Sequence, residues 1–327
     1  MDRRRLGRTD IEVSRLILGC GNFGGIGTAP AFFGQGTSMA DAFALMDAAW
    51  DAGVTTFDTA DAYGGGSSET FIGAWLATKG AAVRDGLVLT TKTYNPMADG
   101  ADHGLAPDRI ARQIDSSLSR LGVERVAMYV AHEFDPDVPV EETQAAFDAL
   151  VKAGKIGTAG ASNFSDAQLD AALRSSARHG QDRYEWVQNS FSLLERGDAD
   201  GVLARCQADG LGYPPVSPLA GGWLTGKYRR RQDPPAGSRM TLRPEPYAAY
   251  RTDDGFDALE AMEALAIDHG TTTAVLALAW VLAQPGVTAI VIGPNRVEQL
   301  RPALDALDVV ASTIPTAVLD HLSELFS

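Results

Sequence analysis

Apolar residues in this chain fall into short runs of four to seven positions, separated by stretches where they recur every three or four residues. The short runs read as buried strands and the 3.6-residue periodicity as amphipathic helices. Eight runs predict strands, at residues 16–19, 54–58, 87–92, 126–132, 156–162, 186–191, 213–217 and 289–293, with 213–217 the weakest. The intervening patterns predict helices at 38–52, 68–78, 107–121, 140–153, 165–177, 199–208, 255–269, 273–284 and 296–307. Ser38 caps the first and Gly53 stops it, while Pro107 opens another that Gly122 ends.

Eight strand–helix units over 327 residues predict an α/β fold, a closed parallel (β/α)₈ TIM barrel forming a single domain over 1–327. A doubly wound open sheet is the competing layout. It requires a Gly-x-Gly-x-x-Gly turn that opens a helix after the first strand. Gly19, Gly21 and Gly24 have that spacing, but a loop rich in Gly, Ala and Phe follows instead of a helix. Ahead of the barrel, residues 3–6 and 11–13 flank the turn Gly7-Arg8-Thr9-Asp10, a β-hairpin placed to plug the barrel bottom. Residues 221–254 form the long irregular stretch, on the face where barrel active sites form.

Four polar residues stand at or just beyond the ends of three consecutive strands: Asp58, Tyr63, Lys92 and His132. Adjacent strands lie about 4.7–4.9 Å apart, so an acid, a phenol, an amine and an imidazole converge. A phenol with pKa near 10 is a weak acid at neutral pH. Lys92 is expected to lower that pKa, Asp58 to hold the ammonium, and His132 to donate to a carbonyl oxygen or relay a proton. The alternative for each residue alone is a buried ion pair or a satisfied core histidine. Their convergence favours proton-transfer chemistry.

Charge narrows the partners. With 42 acidic against 28 basic residues the net charge is −14, which opposes nucleic acid and anionic membranes. Cys20 and Cys206 are too few for a disulfide framework. The opening Met-Asp-Arg-Arg-Arg-Leu-Gly-Arg lacks the apolar region of a signal peptide, and no apolar run approaches the ~20 residues of a membrane helix. A cytoplasmic protein with no nucleic-acid or membrane partner is expected; an oligomer is allowed.

The order of local motifs resembles the aldo-keto reductases. The matching segments are Leu6-Gly-Arg-Thr-Asp, Thr56-Phe-Asp-Thr-Ala-Asp-Ala-Tyr-Gly, Thr91-Lys92, His132 with Asp135-Pro136, Gly160-Ala-Ser-Asn-Phe, Gln188-Asn189, Ser217-Pro-Leu-Ala-Gly-Gly with Lys227, and Gly293 with Gln299-Leu300. The resemblance implies a (β/α)₈ barrel and NADPH-dependent reduction of a small aldehyde, ketone or sugar carbonyl, with NAD the less expected cofactor. It implies a tetrad of Asp58, Tyr63, Lys92 and His132, with Tyr63 as general acid. It assigns the nicotinamide carboxamide to Ser162, Asn163 and Gln188, and the pyrophosphate to Ser217, Leu219, Gly221 and Lys227. Gly293, Arg296 and Gln299 are expected near the adenosine phosphate, and Gly21, Asn22 and Asp58 elsewhere along the cofactor. No metal is implied. Because the family also contains regulatory members, a cofactor-sensing subunit of a channel-like complex with little turnover is the alternative.

The chain departs from that pattern in places. Val216 replaces an aromatic that stacks on the nicotinamide, and Phe191 is placed to fill part of the gap. Pro214 and Pro215 weaken their strand because proline cannot donate to a sheet ladder. Asn295 replaces a frequent Arg, and Pro302-Ala303 replaces Glu-Asn. Arg229, Arg230 and Arg231 read equally as a cofactor clamp and as a solvated loop. Phe32, Phe33, Asp99, Asp102 and His103 are candidates for the substrate mouth.

Overall fold

Nine strands form two sheets in the computed structural model, which describes residues 1–245, 247–313 and 315–326. Strands β1 (Arg3–Arg5) and β2 (Glu12–Ser14) make an antiparallel hairpin with Arg4 opposite Val13. The other seven are β3 (Leu16–Gly19), β4 (Thr56–Asp58), β5 (Val88–Thr93), β6 (Val126–Ala131), β7 (Ile156–Ser162), β8 (Tyr184–Gln188) and β9 (Ile290–Ile292). They pair in parallel in the order β8-β7-β6-β5-β4-β3-β9, so neighbours in the sheet are, β9 apart, neighbours in the chain.

The eighth barrel position is filled without a regular strand. On one side Val187 N donates to Gly212 O at 2.9 Å and Val216 N to Asn189 O at 2.9 Å. On the other, Thr288 N donates to Tyr213 O at 3.0 Å and Val291 N to Pro215 O at 2.9 Å. Residues 212–216 therefore close the ring, and the strand expected at 213–217 is reduced to isolated bridges. Pro214 and Pro215 carry no N–H, so two rungs of the ladder cannot form.

Period-two alternation sorts the barrel's two faces. Ile17, Met128, Val130, Trp186 and Val291 point inward and form one buried cluster with Leu6 and Val13 of the hairpin. Phe57, Tyr129, Ala159, Val187 and Ile290 point outward, into the cluster packed by the helices. The hairpin plugs the bottom as expected. Its turn carries Gly7 at φ +56, and a Cβ there would lie 2.3 Å from the Glu185 carbonyl oxygen. Arg8 N also donates to Glu185 Oε2 at 3.0 Å.

Strand β8 breaks the alternation. Ala159 pairs with Tyr184 and Ala161 with Val187, so two residues of β7 span three of β8. This β-bulge turns both Tyr184 and Val187 outward. Tyr184 thereby joins Phe147 and Phe164 edge-on, at 5.7 and 5.8 Å between ring centroids. Trp186 and Gln188 are left facing the barrel axis.

Among the helices, Met39–Asp51 is capped by Ser38, whose side chain accepts from Asp41 N. Pro107–Leu121 ends at left-handed Gly122. The helix Thr273–Ala283 is buried on nearly every face, as its continuous apolar sequence requires. Expected boundaries shift elsewhere: 199–208 becomes Val202–Asp209, and 296–307 becomes a 3₁₀ turn, Val297–Leu300, followed by Arg301–Asp308. The stretch 221–254 contains a short helix, Arg239–Leu242. No single helix among the described residues is long and apolar enough to cross a membrane.

Gly160 is the tightest point of the inner cluster. A Cβ there would lie 2.2 Å from Trp186 Nε1, and the indole is fully buried. Gly160→Ala is expected to lower unfolding free energy by about 1–3 kcal/mol through overpacking. Urea unfolding checks this, and an unchanged midpoint would show that the indole can move aside.

Candidate active site

The same alternation that fills the barrel with Met128 and Val130 brings polar side chains to its upper rim. Asp58 ends β4, Lys92 lies near the end of β5, His132 follows β6, Ser162 ends β7 and Gln188 ends β8. All five are buried. Tyr63 reaches them from a 3₁₀ turn, Tyr63–Gly66, that precedes the helix Ser67–Ala77. Gly64, Gly65 and Gly66 have φ of 58, 65 and 93°. That left-handed run, open to glycine at little cost, lets the backbone pass against Phe23, Gly24 and the Phe33 ring.

Lys92 is the hub. Its Nζ donates to Asp58 Oδ2 at 2.6 Å, to the Thr59 carbonyl at 2.9 Å and to Tyr63 Oη at 3.3 Å. All three ammonium donors are thus used. Burial works against the Lys92 charge, but Asp58 and Tyr63 outweigh it and its pKa rises. Across the site, His132 Nε2 lies 3.5 Å from Tyr63 Oη. Burial, followed by the Lys92 charge, pushes the imidazole well below its usual pKa, so it is neutral.

The Tyr63 phenol behaves differently from the sequence-based expectation. Burial, joined by the Asp58 carboxylate, pushes its pKa up against the pull of Lys92. Tyr63 is accordingly a protonated phenol at neutral pH, with a cation waiting beside its oxygen. A protonated phenol and a neutral imidazole can both donate to one external oxygen.

The expected cofactor residues fall into two groups around the rim. In the first, Ser162 Oγ donates to Gln188 O at 2.7 Å, and Gln188 Nε2 donates across the barrel to Asp58 Oδ1 at 3.2 Å. Gln188 Oε1 is buried with no hydrogen-bond partner among the described residues. Asn163, at φ 58, turns its amide to the His132 carbonyl at 2.9 Å and to Glu133 Oε1 at 3.1 Å. The orphaned Gln188 oxygen suits an amide N–H of a carboxamide.

The second group encircles a left-handed turn. Ser217, Ala220, Gly221 and Gly222 have φ of 56, 46, 63 and 95°, with half-buried Leu219 between them. Lys227 Nζ lies so close to Gly222 that a Cβ there would be 2.2 Å away. Arg239, which the sequence reading did not single out, donates to Asn22 Oδ1 at 2.7 Å. Asn22 Nδ2 in turn donates to Asn295 Oδ1 at 2.7 Å, and Asn295 N donates to Gln299 Oε1 at 2.7 Å. Three rim loops thus meet. Burial, with each cation near another, lowers the pKa of both Lys227 and Arg239, and neither forms an ion pair with an acidic side chain among the described residues. Gly293 faces open space, Arg296 is exposed, and Gly21 packs against the Tyr63 ring.

Other candidates lie elsewhere. Arg229 pairs with Glu263, and Arg230 with Asp253, Asp257 and Glu260, so these two bind a neighbouring helix instead of clamping a cofactor. Phe191 stacks on Trp280 at 5.5 Å and points outward, so it does not fill the space left by Val216. Asp102 is held by Arg112.

Asp61, between Asp58 and Tyr63 in the chain, is fully buried, and among the described residues neither carboxylate oxygen has a hydrogen bond of good geometry. Burial and the neighbouring Glu69 carboxylate push it up to about 7, against the pull of Arg109, Thr93 and Arg120. The unfolded chain ionises this group near pH 4. Between about pH 4 and 7 the folded form retains a proton that the unfolded form has lost, so this residue lowers stability as pH rises. His132 acts oppositely, its contribution being lost as pH falls below its ordinary value. Asp61→Asn is expected to remove the first component and stabilise the fold at pH 7 relative to wild type, with little gain at pH 4. Thermal unfolding of both proteins across that range checks it; parallel curves would show an ionised Asp61.

The chain is similar to known proteins over nearly its whole length. The pattern of the Aldo/keto reductase family matches residues 15–324. A Bacillus subtilis protein named uncharacterized oxidoreductase YrpG is 36% identical, covering 100% of this chain and 96% of that protein. The L-glyceraldehyde 3-phosphate reductase of Escherichia coli O157:H7 is 30% identical over 99% of the chain and 93% of its own length. A probable voltage-gated potassium channel subunit beta from Oryza sativa subsp. japonica is also 30% identical, over 97% and 94%. The chain belongs to the aldo/keto reductase family.

Proposed function

We propose that the protein is an NADPH-dependent carbonyl reductase in which Tyr63 is the general acid. The observation that carries this reading is the Lys92 ammonium, held between Asp58 and the Tyr63 oxygen with neutral His132 opposite. The cofactor, when bound, supplies the hydride. A substrate oxygen placed against Tyr63 Oη and His132 Nε2 meets two donors. As negative charge develops on that oxygen, both bonds strengthen, which favours the transition state over the bound substrate. Proton transfer from Tyr63 leaves a phenolate beside Lys92, whose charge is already fixed by Asp58. His132 keeps the oxygen aligned.

For the cofactor, the orphaned Gln188 oxygen with Ser162 and Asn163 suits the carboxamide. The turn through Ser217, Leu219 and Gly221, with Lys227 and Arg239, suits the phosphates. Two uncompensated, partly buried cations in a chain of net charge −14 are costly without an anion between them. Arg296, exposed beside Asn295 and Gln299, is read as the partner of the 2′-phosphate, with Gly21, Asn22 and Gly293 lining the groove. The substrate class is a small aldehyde, ketone or sugar carbonyl; the Escherichia coli relative is named for a phosphorylated aldehyde. The reading takes the chain as a single barrel domain acting on a diffusible substrate in the cytoplasm.

NADPH oxidation followed with a panel of short aldehydes, ketones and sugars tests the activity. Tyr63→Phe is expected to lower kcat by at least about 10²-fold, the usual share of a general acid, while NADP still raises the melting temperature. Unimpaired turnover would remove Tyr63 from its role. Cofactor binding without turnover of any carbonyl would favour the sensing-subunit alternative. Arg296→Ala is expected to shrink the thermal shift given by NADP and leave that given by NAD unchanged. Equal losses for both would place the 2′-phosphate elsewhere.

A further inference from the structure

We infer that Asn95 is a positioning residue for His132: its side-chain amide sets which imidazole nitrogen carries the proton, and buried Arg109 holds Asn95 in place. This rests on the reading above that His132 donates to the substrate oxygen.

A neutral imidazole has one N–H, and the hydrogen bond at one nitrogen determines what the other can do. His132 Nε2 faces Tyr63, while Nδ1 lies 3.3 Å from Asn95 Nδ2. With the amide turned this way its nitrogen donates to Nδ1, which leaves the ring proton on Nε2. That places a donor where the carbonyl oxygen must bind. The opposite tautomer would present a lone pair there, and the developing oxyanion would meet repulsion from the ring instead of a hydrogen bond. The ring's backbone is fixed independently, since His132 N donates to Thr93 O at 3.0 Å and His132 O accepts from Asn163 at 2.9 Å.

Asn95 belongs to a long loop whose outer part, around Asp99 and Gly100, is exposed. Its inner end is bolted down by Arg109, on the helix Pro107–Leu121. Arg109 is buried, and its guanidinium donates to Thr93 Oγ1 at 2.7 Å, to Gly104 O at 3.0 Å and to Asn95 O at 2.8 Å. One planar group thus joins the end of β5, the start of the loop and its return. A lysine has no comparable fork and would not span all three acceptors. Its nearest carboxylate among the described ion pairs is Asp102, 3.7 Å from Nε, and its charge also acts on buried Asp61. Asn95 is therefore placed by strand β5 and the helix together, and not by the exposed part of its loop.

The test is the tautomer itself. Long-range ¹H–¹⁵N correlation spectra of protein labelled with ¹⁵N-histidine contain only five imidazoles, and His132→Gln assigns the one that matters. Wild type is expected to show Nε2 protonated and Nδ1 bare. Asn95→Asp keeps the shape but supplies only an acceptor, so the proton should move to Nδ1. Turnover should then fall by about 10²-fold in kcat with little change in the NADP-induced thermal shift. Asn95→Leu, which removes the donor, should leave a mixture of tautomers and an intermediate kcat. Wild-type protein with Nδ1 protonated would overturn the inference. So would an Asn95→Asp protein that loses activity with its tautomer unchanged, because that loss would be merely structural. Should no carbonyl be reduced by wild type, the functional reading fails while the spectra still decide what Asn95 does.

Discussion

A single buried ammonium constrains the upper half of this barrel. Lys92 has almost no exposure to solvent, and an unpaired charge there would be severely destabilising. Three oxygens must therefore be delivered to it, from the side chain ending β4, from the carbonyl one residue beyond, and from a phenol in the following loop. Parallel pairing of β4 with β5 supplies the first two, because Asp58 and Lys92 end adjacent inward-facing rows. The three left-handed glycines after Tyr63 supply the third. Removing one partner of a buried pair typically costs about 3–5 kcal/mol. The geometry needed for proton transfer and the geometry needed to keep the ammonium buried are thus one and the same.

That coupling explains which parts of the fold were legible beforehand. Asp58, Lys92 and His132 each close an apolar run, and the period of two then dictates that they face the same way as Met128 and Val130. The hairpin plug was legible from its Gly7 turn and alternating Leu6 and Val13. The bulge in β8 was not, because its effect depends on pairing with Ala159 and Ala161, and Tyr184 carries no local mark of facing outward. Phe191 was misread for a related reason. It stands beyond β8, where contact with Trp280, some ninety residues later, decides its direction. The strand at 213–217 was visible as a weak pattern, and the prolines that made it weak are what reduce it to isolated bridges.

The site residues that escaped the sequence share another property. Asn95 and Arg239 each act on something distant in the chain, an imidazole and a loop that begins two hundred residues earlier, and Asp61 acts on nearby Glu69 only through a burial that the fold imposes. Local spacing carries no trace of such contacts. Arg239 had a weak signal, as a basic residue in a Pro- and Gly-rich loop after the seventh barrel position. It was overshadowed by the denser run at Arg229 and Arg230, whose charges are spent on Glu263, Asp253, Asp257 and Glu260.

Burial also sets the state in which the Tyr63 phenol rests. Spacing alone made Lys92 a reason for a lowered Tyr63 pKa, but desolvation and the Asp58 carboxylate together carry it upward. The resting site therefore keeps its proton. In the proposed reaction a substrate oxygen that gains charge changes the balance, because it accepts that proton while Lys92 stabilises the oxygen left behind. The reverse reaction would have to begin from the disfavoured phenolate. Under the proposed reading the raised pKa is a cost to proton donation, and the Lys92 ammonium, already in place, offsets it by stabilising the phenolate as it forms.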